Sequence, residues 1–182
     1  MHFNWYLDSP WLLKLYGRYF WYLELIRATQ VIAAYAGDEF AGVLLAEMKG
    51  EPNTHRSIWK LLYVKAFDIL QNLFAGSVNV YDKANQEMLA QYCENNTPDG
   101  ELIFLAANPD IKIKGIGSFL LREFERRENG KNVFLYTDSA CTYQFYEHRG
   151  FERTGDRDIV LELGDKKVEL RCFLYSKVIG RD

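Results

Sequence analysis

Apolar and polar residues alternate along this chain with two different periods. Residues 9–25 carry apolar side chains at helical spacing, and Ser9-Pro10 supplies an N-cap and first-turn pair. This pattern predicts a helix. Residues 29–36 and 40–48 are rich in β-forming side chains and flank Gly37-Asp38, which predicts a β-hairpin.

The next segments predict two helices, a strand and a third helix. Helices are expected over 58–74, where an apolar stripe is formed by Trp59, Leu62, Tyr63, Ala66 and Leu70, and over 83–93. The short apolar run 102–106 fits a strand buried on both faces. The amphipathic pattern over 116–128 predicts a helix that ends before Gly130 and whose core-facing residues are Ile116, Phe119, Leu120 and Phe124.

The last third of the chain predicts one strand, one short helix and a second hairpin. The strand covers 133–137, the helix covers 142–148, and the hairpin joins 159–163 to 168–176 through Gly164-Asp165. The order of elements indicates an α/β (α+β) fold. Its sheet is mixed, mostly antiparallel, six- to seven-stranded and flanked by helices, and residues 1–182 are expected to form one domain.

Composition and charge narrow the function classes. The 182 residues are 48% hydrophobic and 26% charged, with a formal net charge of -3, which argues against a general nucleic-acid binder. Cys93, Cys141 and Cys172 are widely spaced and no cysteine or histidine pair has metal-ligand spacing, so no metal is expected. Charged residues interrupt the apolar N-terminal region, so we expect a cytoplasmic protein without a membrane partner.

The stretch Lys112-Ile113-Lys114-Gly115-Ile116-Gly117-Ser118 predicts a phosphate-binding turn. It connects the predicted strand to an amphipathic helix, whose first N–H groups have no partner inside the helix. Two glycines let the backbone approach a ligand closely. A P-loop is absent, and the dinucleotide fingerprint fails because Leu120 occupies the third glycine position.

A second motif follows, Phe145-Tyr146-Glu147-His148-Arg149-Gly150-Phe151. Together the two stretches resemble the GNAT family of N-acetyltransferases, whose cofactor motif is Gln/Arg-x-x-Gly-x-Gly/Ala and whose later motif contains Phe/Leu-Tyr-Glu-x-x-Gly-Phe. The resemblance is tight over residues 101–151. Lys112, Ile113, Ser139 and Thr142 depart from the usual residues of the family.

The resemblance implies a fold in which the strand before the turn splays from its neighbour, and acetyl-CoA as donor. Backbone groups of Leu105 and Ala107 would pair with the pantetheine arm. The pyrophosphate would meet the amides of the turn, which consists of Lys112, Ile113, Lys114, Gly115, Ile116, Gly117 and Ser118. Ser139 occupies the position whose side chain often meets the pantetheine. Tyr146 matches the general acid, and its ordinary pKa of ~10 keeps it protonated at neutral pH. The base is left open between Glu101, Asp138 and water.

The sequence does not identify the acceptor beyond an amine, either a small molecule or a group on a peptide. Several aromatic residues are candidates for lining an acceptor pocket or for packing the core, namely Trp5, Trp11, Tyr16, Tyr19, Trp21, Trp59 and Tyr63. No histidine is placed to activate Cys141 as a nucleophile. The alternative function is a non-catalytic CoA-binding sensor or interaction module, and the chain is expected to be a monomer or homodimer.

Overall fold

The computed structural model describes residues 10–53, 57–74, 78–163 and 166–180. The turn predicted at Gly164-Asp165 lies outside these residues, as do Trp5 and Ser9. In chain order the elements are α1 (Pro10–Arg27), β1 (Gln30–Ala36), β2 (Glu39–Met48), α2 (Ile58–Phe74), α3 (Val78–Cys93), β3 (Gly100–Ala107), α4 (Ile116–Arg127), β4 (Asn132–Asp138), α5 (Gln144–Glu147), β5 (Glu152–Leu163) and β6 (Lys166–Val178).

The described strands form one six-stranded sheet in the order β1-β2-β3-β4-β6-β5. The pair β3–β4 is parallel and the other neighbouring pairs are antiparallel, which confirms the predicted fold class. β5 begins at Glu152, ahead of the predicted start at Ile159, and pairs from there with Ser176. Its first half was missed because residues 152–158 are mostly polar and exposed or half-buried, so no apolar alternation marks them.

Helices cover both faces of the sheet. On one face α4 packs over a core that extends from β1 to β6 and buries Leu44, Leu120 and Phe124 completely. On the other face α3 covers β4, β5 and β6, and α1 packs over β2 and β3. Phe119 was predicted to face the core, but its side chain is 55% exposed because it lies on the outer side of α4. No described helix is long and apolar enough to cross a membrane.

β3 parts from β4 soon after the two strands begin. Their pairing consists of Gly100 with Val133 and Glu101 with Phe134. On its other side β3 carries a bulge at Ile103, since Leu45 pairs with Phe104 and Ala46 with Leu102. A bulge bends its strand and increases the local twist, which turns β3 away from β4.

We call the opening between β3 and β4 beyond Glu101 the fork. Within β3, Leu102 is buried, whereas residues 103–106 are half-buried. The prediction of a strand buried on both faces is therefore wrong beyond Leu102, because β4 does not accompany β3 past the fork.

The apolar stripe predicted on α2 is only partly buried. Trp59 is 81% exposed and Leu62 is 53% exposed. Tyr63 of the same stripe lies on the side of α2 that packs against α1, where its ring stacks with that of Phe67. Phe67 in turn stacks on Tyr19 of α1 with ring centroids 4.5 Å apart. The aromatic side of α2 thus matches the aromatic surface of α1, a partner that helical periodicity in α2 alone does not reveal.

Gly42 allows α4 to lie close to β2. A Cβ at this position would meet the Ala106 carbonyl oxygen at 2.7 Å and Cγ2 of Ile116 at 2.9 Å. We expect Gly42→Ala to lower the free energy of unfolding by about 1–3 kcal/mol in urea denaturation, because the backbone at Ala106 would have to shift. Gly17→Ala is the control, because no atom lies within 4 Å of the new Cβ in α1. It should raise stability by roughly 0.5–1 kcal/mol, and equal effects of the two substitutions would contradict the close packing.

Candidate active site

The turn between β3 and α4 presents free backbone donors. Gly115 has φ 85°, in the left-handed region that favours glycine, and no side chain caps the helix that starts at Ile116. The first helical hydrogen bond to the turn is donated by the Phe119 N–H to the Gly115 carbonyl oxygen, at 2.9 Å. The preceding amides of α4 have no helical partner, and the positive end of the helix dipole lies among them. The turn can therefore bind a phosphate group.

A cleft of about 340 Å³ opens beside this turn. Its lining consists of Ala107, Asn108, Pro109, Ile111, Ile113, Gly115, Ile116, Gly117, Ser118, Phe145 and Arg149. The structure thus brings together six of the predicted cofactor residues, from Ala107 to Ser118. A Cβ on Gly117 would contact the Phe145 ring at 3.4 Å, so glycine lets the second motif pack directly on the turn.

The other predicted cofactor residues lie outside this lining. Leu105 is half-buried against the core on the α4 face of the sheet. Lys112 and Lys114 are exposed in the turn. The Ser139 hydroxyl accepts a hydrogen bond of 3.1 Å from the Arg171 N–H, which ties that side chain to β6. Their contact with a cofactor stays a prediction.

Arg149 is a cleft residue that the sequence interpretation missed. Its Nη1 donates to the Phe145 carbonyl at 2.8 Å, its Nη2 donates to the Ser118 hydroxyl, and its guanidinium lies 3.6 Å from the centre of the Phe145 ring. A positive charge is thereby held beside the turn that precedes α4. The second motif gave a signal, because Arg149 stands four residues after Phe145 and hence one helical turn away.

Tyr146 packs behind the cleft. Its ring lies 5.2 Å from that of Phe145 and 5.7 Å from that of Phe151, measured between centroids. Burial raises the pKa of Tyr146 to about 12, with a further contribution from Cys141. The phenol therefore stays protonated at neutral pH, as a general acid must.

Glu101 lies at the fork in a cluster of charged residues. Arg27 of α1 pairs with Glu101, with Glu47 at 2.9 Å and with Glu24 at 3.3 Å. Burial raises the pKa of Glu101, while Arg27 opposes that shift. Tyr136 of β4 lies nearby, and its pKa is raised by burial and then by Glu101. Neither Arg27 nor Tyr136 belongs to a local motif, so their positions depend on tertiary contacts.

Asp138, the alternative base, accepts two hydrogen bonds at the end of β4. The donors are the Tyr81 hydroxyl at 3.2 Å and the Ala140 N–H at 2.9 Å. Asp138 is buried, with 6% of its surface exposed. Its carboxylate is therefore engaged in holding α3 and the loop after β4, and Glu101 is the more accessible of the two carboxylates.

The aromatic residues predicted near the acceptor mostly pack the helices. The Tyr19 hydroxyl donates to Asp68 at 2.6 Å, and Trp21 meets Phe104 edge to face. Tyr16 and Tyr63 contact the Phe67 ring, whereas Trp11 and Trp59 are exposed. Among the described residues, no group of three or more histidine, cysteine or acidic side chains is arranged to hold a metal ion.

Comparisons with known proteins give weak similarities in structure and none in sequence. No family model and no curated protein matches the chain. An N-acetyltransferase from Staphylococcus aureus Mu50 has 15% identity, covering 96% of this chain and 85% of its own, with a TM-score of 0.45. Arabidopsis thaliana NAA60, in complex with a bisubstrate analogue, has 10% identity, 80% and 68% coverage, and a TM-score of 0.47.

A third similar structure is an acetyltransferase of the GNAT family from Desulfovibrio desulfuricans. It has 16% identity, covers 82% of this chain and 68% of its own, and has a TM-score of 0.43. None of these TM-scores reaches 0.5, so the similarities by themselves establish nothing about what this chain binds or transfers.

The cluster around Arg27 makes stability depend on pH. Burial raises the pKa of Glu24 from 4.5 to about 7, although Arg27 lowers it in part. The folded protein therefore binds this proton more tightly than the unfolded chain, and the resulting stability is full below about pH 4.5 and lost as the pH rises through about 7. We expect Glu24→Gln to raise the melting temperature above that of the wild type, by a few degrees more at pH 8 than at pH 5. Glutamine stays neutral at both pH values, whereas Glu24 loses its proton as the pH rises through about 7.

Glu47→Gln is the matched control, since Glu47 contacts the same arginine but its side chain is 43% exposed. Its effect should be similar at both pH values. Thermal unfolding followed by circular dichroism measures both variants, and a Glu24→Gln effect that does not change with pH would contradict the raised pKa.

Proposed function

We propose that this chain is a GNAT-type N-acetyltransferase that uses acetyl-CoA as donor. The observation that carries the proposal is the path from the fork to the turn. One edge of β3 beyond Glu101 lacks β4 as a partner, and β3 leads through the turn 108–115 to the uncapped amides at the start of α4. An extended ligand with amide groups at one end and a pyrophosphate at the other matches this path.

The chemistry of CoA supports this match. The pantetheine arm carries two amide groups, which can pair with the unpartnered edge of β3 as an added strand would. The pyrophosphate would meet the turn amides, with Arg149, Lys112 and Lys114 supplying positive charge. Leu105 and Ala107 are the proposed backbone partners of the pantetheine, because both belong to the part of β3 beyond the fork.

The proposed reaction is direct transfer without a covalent enzyme intermediate. The lone pair of a neutral amine attacks the acetyl carbon, and the C–N bond forms as the C–S bond breaks. The electrons of the C–S bond leave with the CoA sulfur, which takes a proton from the Tyr146 hydroxyl. The nitrogen loses one proton to Glu101, directly or through water, so the products are an N-acetyl amide and CoA thiol.

The two faces of the sheet support separate entry of donor and acceptor. Tyr146 packs on the α4 face, beside the cleft, whereas Glu101 lies among charged groups on the α1 face. There, Glu24, Glu47 and Glu101 face the one guanidinium of Arg27, so the described cluster has an excess of carboxylates. This excess favours an acceptor that arrives as a cation. Its identity beyond an amine stays open.

The alternative function is a CoA-binding sensor or interaction module on the same fold. Such a protein needs the turn and the fork but not a proton donor. The presence of Tyr146, a hydroxyl that a sensor would not need, favours the enzyme.

Calorimetric titration with acetyl-CoA and CoA tests the cofactor site. We expect Gly115→Ala to weaken binding of both at least roughly 10-fold, because the added methyl group would enter the cleft beside the phosphate-binding amides. Gly130→Ala is a closely matched control at the far end of α4. The two glycines have φ 85° and φ 84°, and neither added Cβ would meet an atom within 4 Å. Both variants should lose similar stability. Equal binding by the two, or no binding of either ligand to the folded wild type, would contradict the proposed site.

The role of Tyr146 is tested by Tyr146→Phe, with release of CoA thiol measured over a panel of amines. We expect the rate to fall by about 10²–10⁴-fold, because the departing thiolate loses its proton donor, while CoA binding is retained. Tyr143→Phe removes a hydroxyl three residues before Tyr146, from a ring that packs on Phe173, and should keep most of the activity. Full activity of Tyr146→Phe would exclude it as the general acid.

A further inference from the structure

A second cleft, of about 380 Å³, adjoins the one at the turn. It is lined by Ser118, Leu121, Arg122, Glu125, His148 and Arg149, and it shares Ser118 and Arg149 with the first cleft. Ser118, Arg122 and Glu125 follow one another at one-turn spacing, so they share a side of α4. His148 and Arg149, which come directly after α5, form the opposite wall.

The charges in this cleft favour an anion. Neither Arg122 nor Arg149 has a carboxylate within ion-pair distance among the described residues. Glu125 is the carboxylate of the lining, and it already accepts a hydrogen bond of 2.8 Å from Lys177. The cleft therefore holds two arginine charges that the protein does not neutralise.

Most arginines among the described residues are paired. Six pair with a carboxylate, namely Arg27, Arg126, Arg127, Arg153, Arg157 and Arg171. Arg18, which is exposed on α1, has no described carboxylate partner, but it stands alone, whereas Arg122 and Arg149 line the same cleft. The chain as a whole has three more acidic than basic residues, so carboxylates are not scarce. Two arginines left without carboxylates at one cleft indicate a site that an anion from outside the protein completes, and guanidinium groups bind phosphate through charge-assisted hydrogen bonds.

We propose that this second cleft binds the 3′-phosphate of the CoA donor, with Arg122 as the residue that selects for it. The inference rests on the proposed function. The turn amides take the pyrophosphate, which leaves the 3′-phosphate as the remaining anionic group of CoA. One ribose separates the two groups, a span comparable with the helical turn of ~5.4 Å between Ser118 and Arg122. Arg149, which lines both clefts, is placed to contact either phosphate.

Calorimetry with CoA and 3′-dephospho-CoA tests this inference. The wild type is expected to bind CoA about 10-fold more tightly than 3′-dephospho-CoA, since a hydrogen-bonded guanidinium contact to the phosphate is lost. Arg122→Ala should weaken CoA binding to the level of 3′-dephospho-CoA and leave the latter ligand unaffected. Arg126→Ala is the matched control, because it removes the same charge from α4 one turn further on, where Arg126 pairs with Glu123. It should preserve the preference for CoA.

The possible failures are distinct. Equal affinity of the wild type for the two ligands would overturn the 3′-phosphate site and leave the proposed acetyltransferase intact. Equal weakening of both ligands by Arg122→Ala would also overturn it, because Arg122 would then act on the pyrophosphate or on folding. If the folded wild type bound neither ligand, the proposed function and this inference would both fail.

Discussion

The early separation of β3 from β4 is the constraint on which the candidate site depends. The bulge at Ile103 lets β3 stay paired with β2 while it turns away from β4. A buried backbone group without a partner costs about as much as a lost hydrogen bond, so a sheet opened in this way is stable only if water or a ligand satisfies the exposed edge. The fork is therefore both a cost to the fold and a site ready to pair with an extended ligand. Gly42 then lets α4 begin close to β2, the strand that pairs with β3 on its other side.

Arg27 has the corresponding role on the other face. One guanidinium joins carboxylates from α1, β2 and β3, and it is placed where β3 and β4 are last paired. An ion cluster of this kind adds little net stability over an apolar packing, but loss of the shared Arg27 would leave its carboxylates uncompensated. The cluster therefore fixes the position of α1 over the fork and maintains a local excess of negative charge. Glu24, whose pKa is raised to about 7, is the member whose charge responds to pH near neutrality.

Local patterns predicted the parts of the site that lie close together in sequence. The glycine turn and its helix were predictable because free amides, glycine conformations and amphipathic spacing are properties of a few adjacent residues. The predicted strands and hairpins gave the correct sheet class for the same reason.

The direction of the α2 stripe was not predictable, because it depends on the aromatic surface of α1. The start of β5 was missed because its polar residues do not alternate. Arg27, Arg122 and Arg149 could not be assigned to charge clusters from sequence, since their neighbours come from elements far apart in the chain.

The distribution of charge also explains why a total of -3 says little about this site. On the α4 face, Arg122 and Arg149 have no described carboxylate partner and lie beside the turn that precedes α4. On the α1 face, three carboxylates surround a single arginine. A polyanionic donor and a cationic acceptor need opposite potentials, and the sheet separates the two charged regions. Because the fork is the opening between the two faces, the acetyl group of the proposed reaction would pass from one face to the other there.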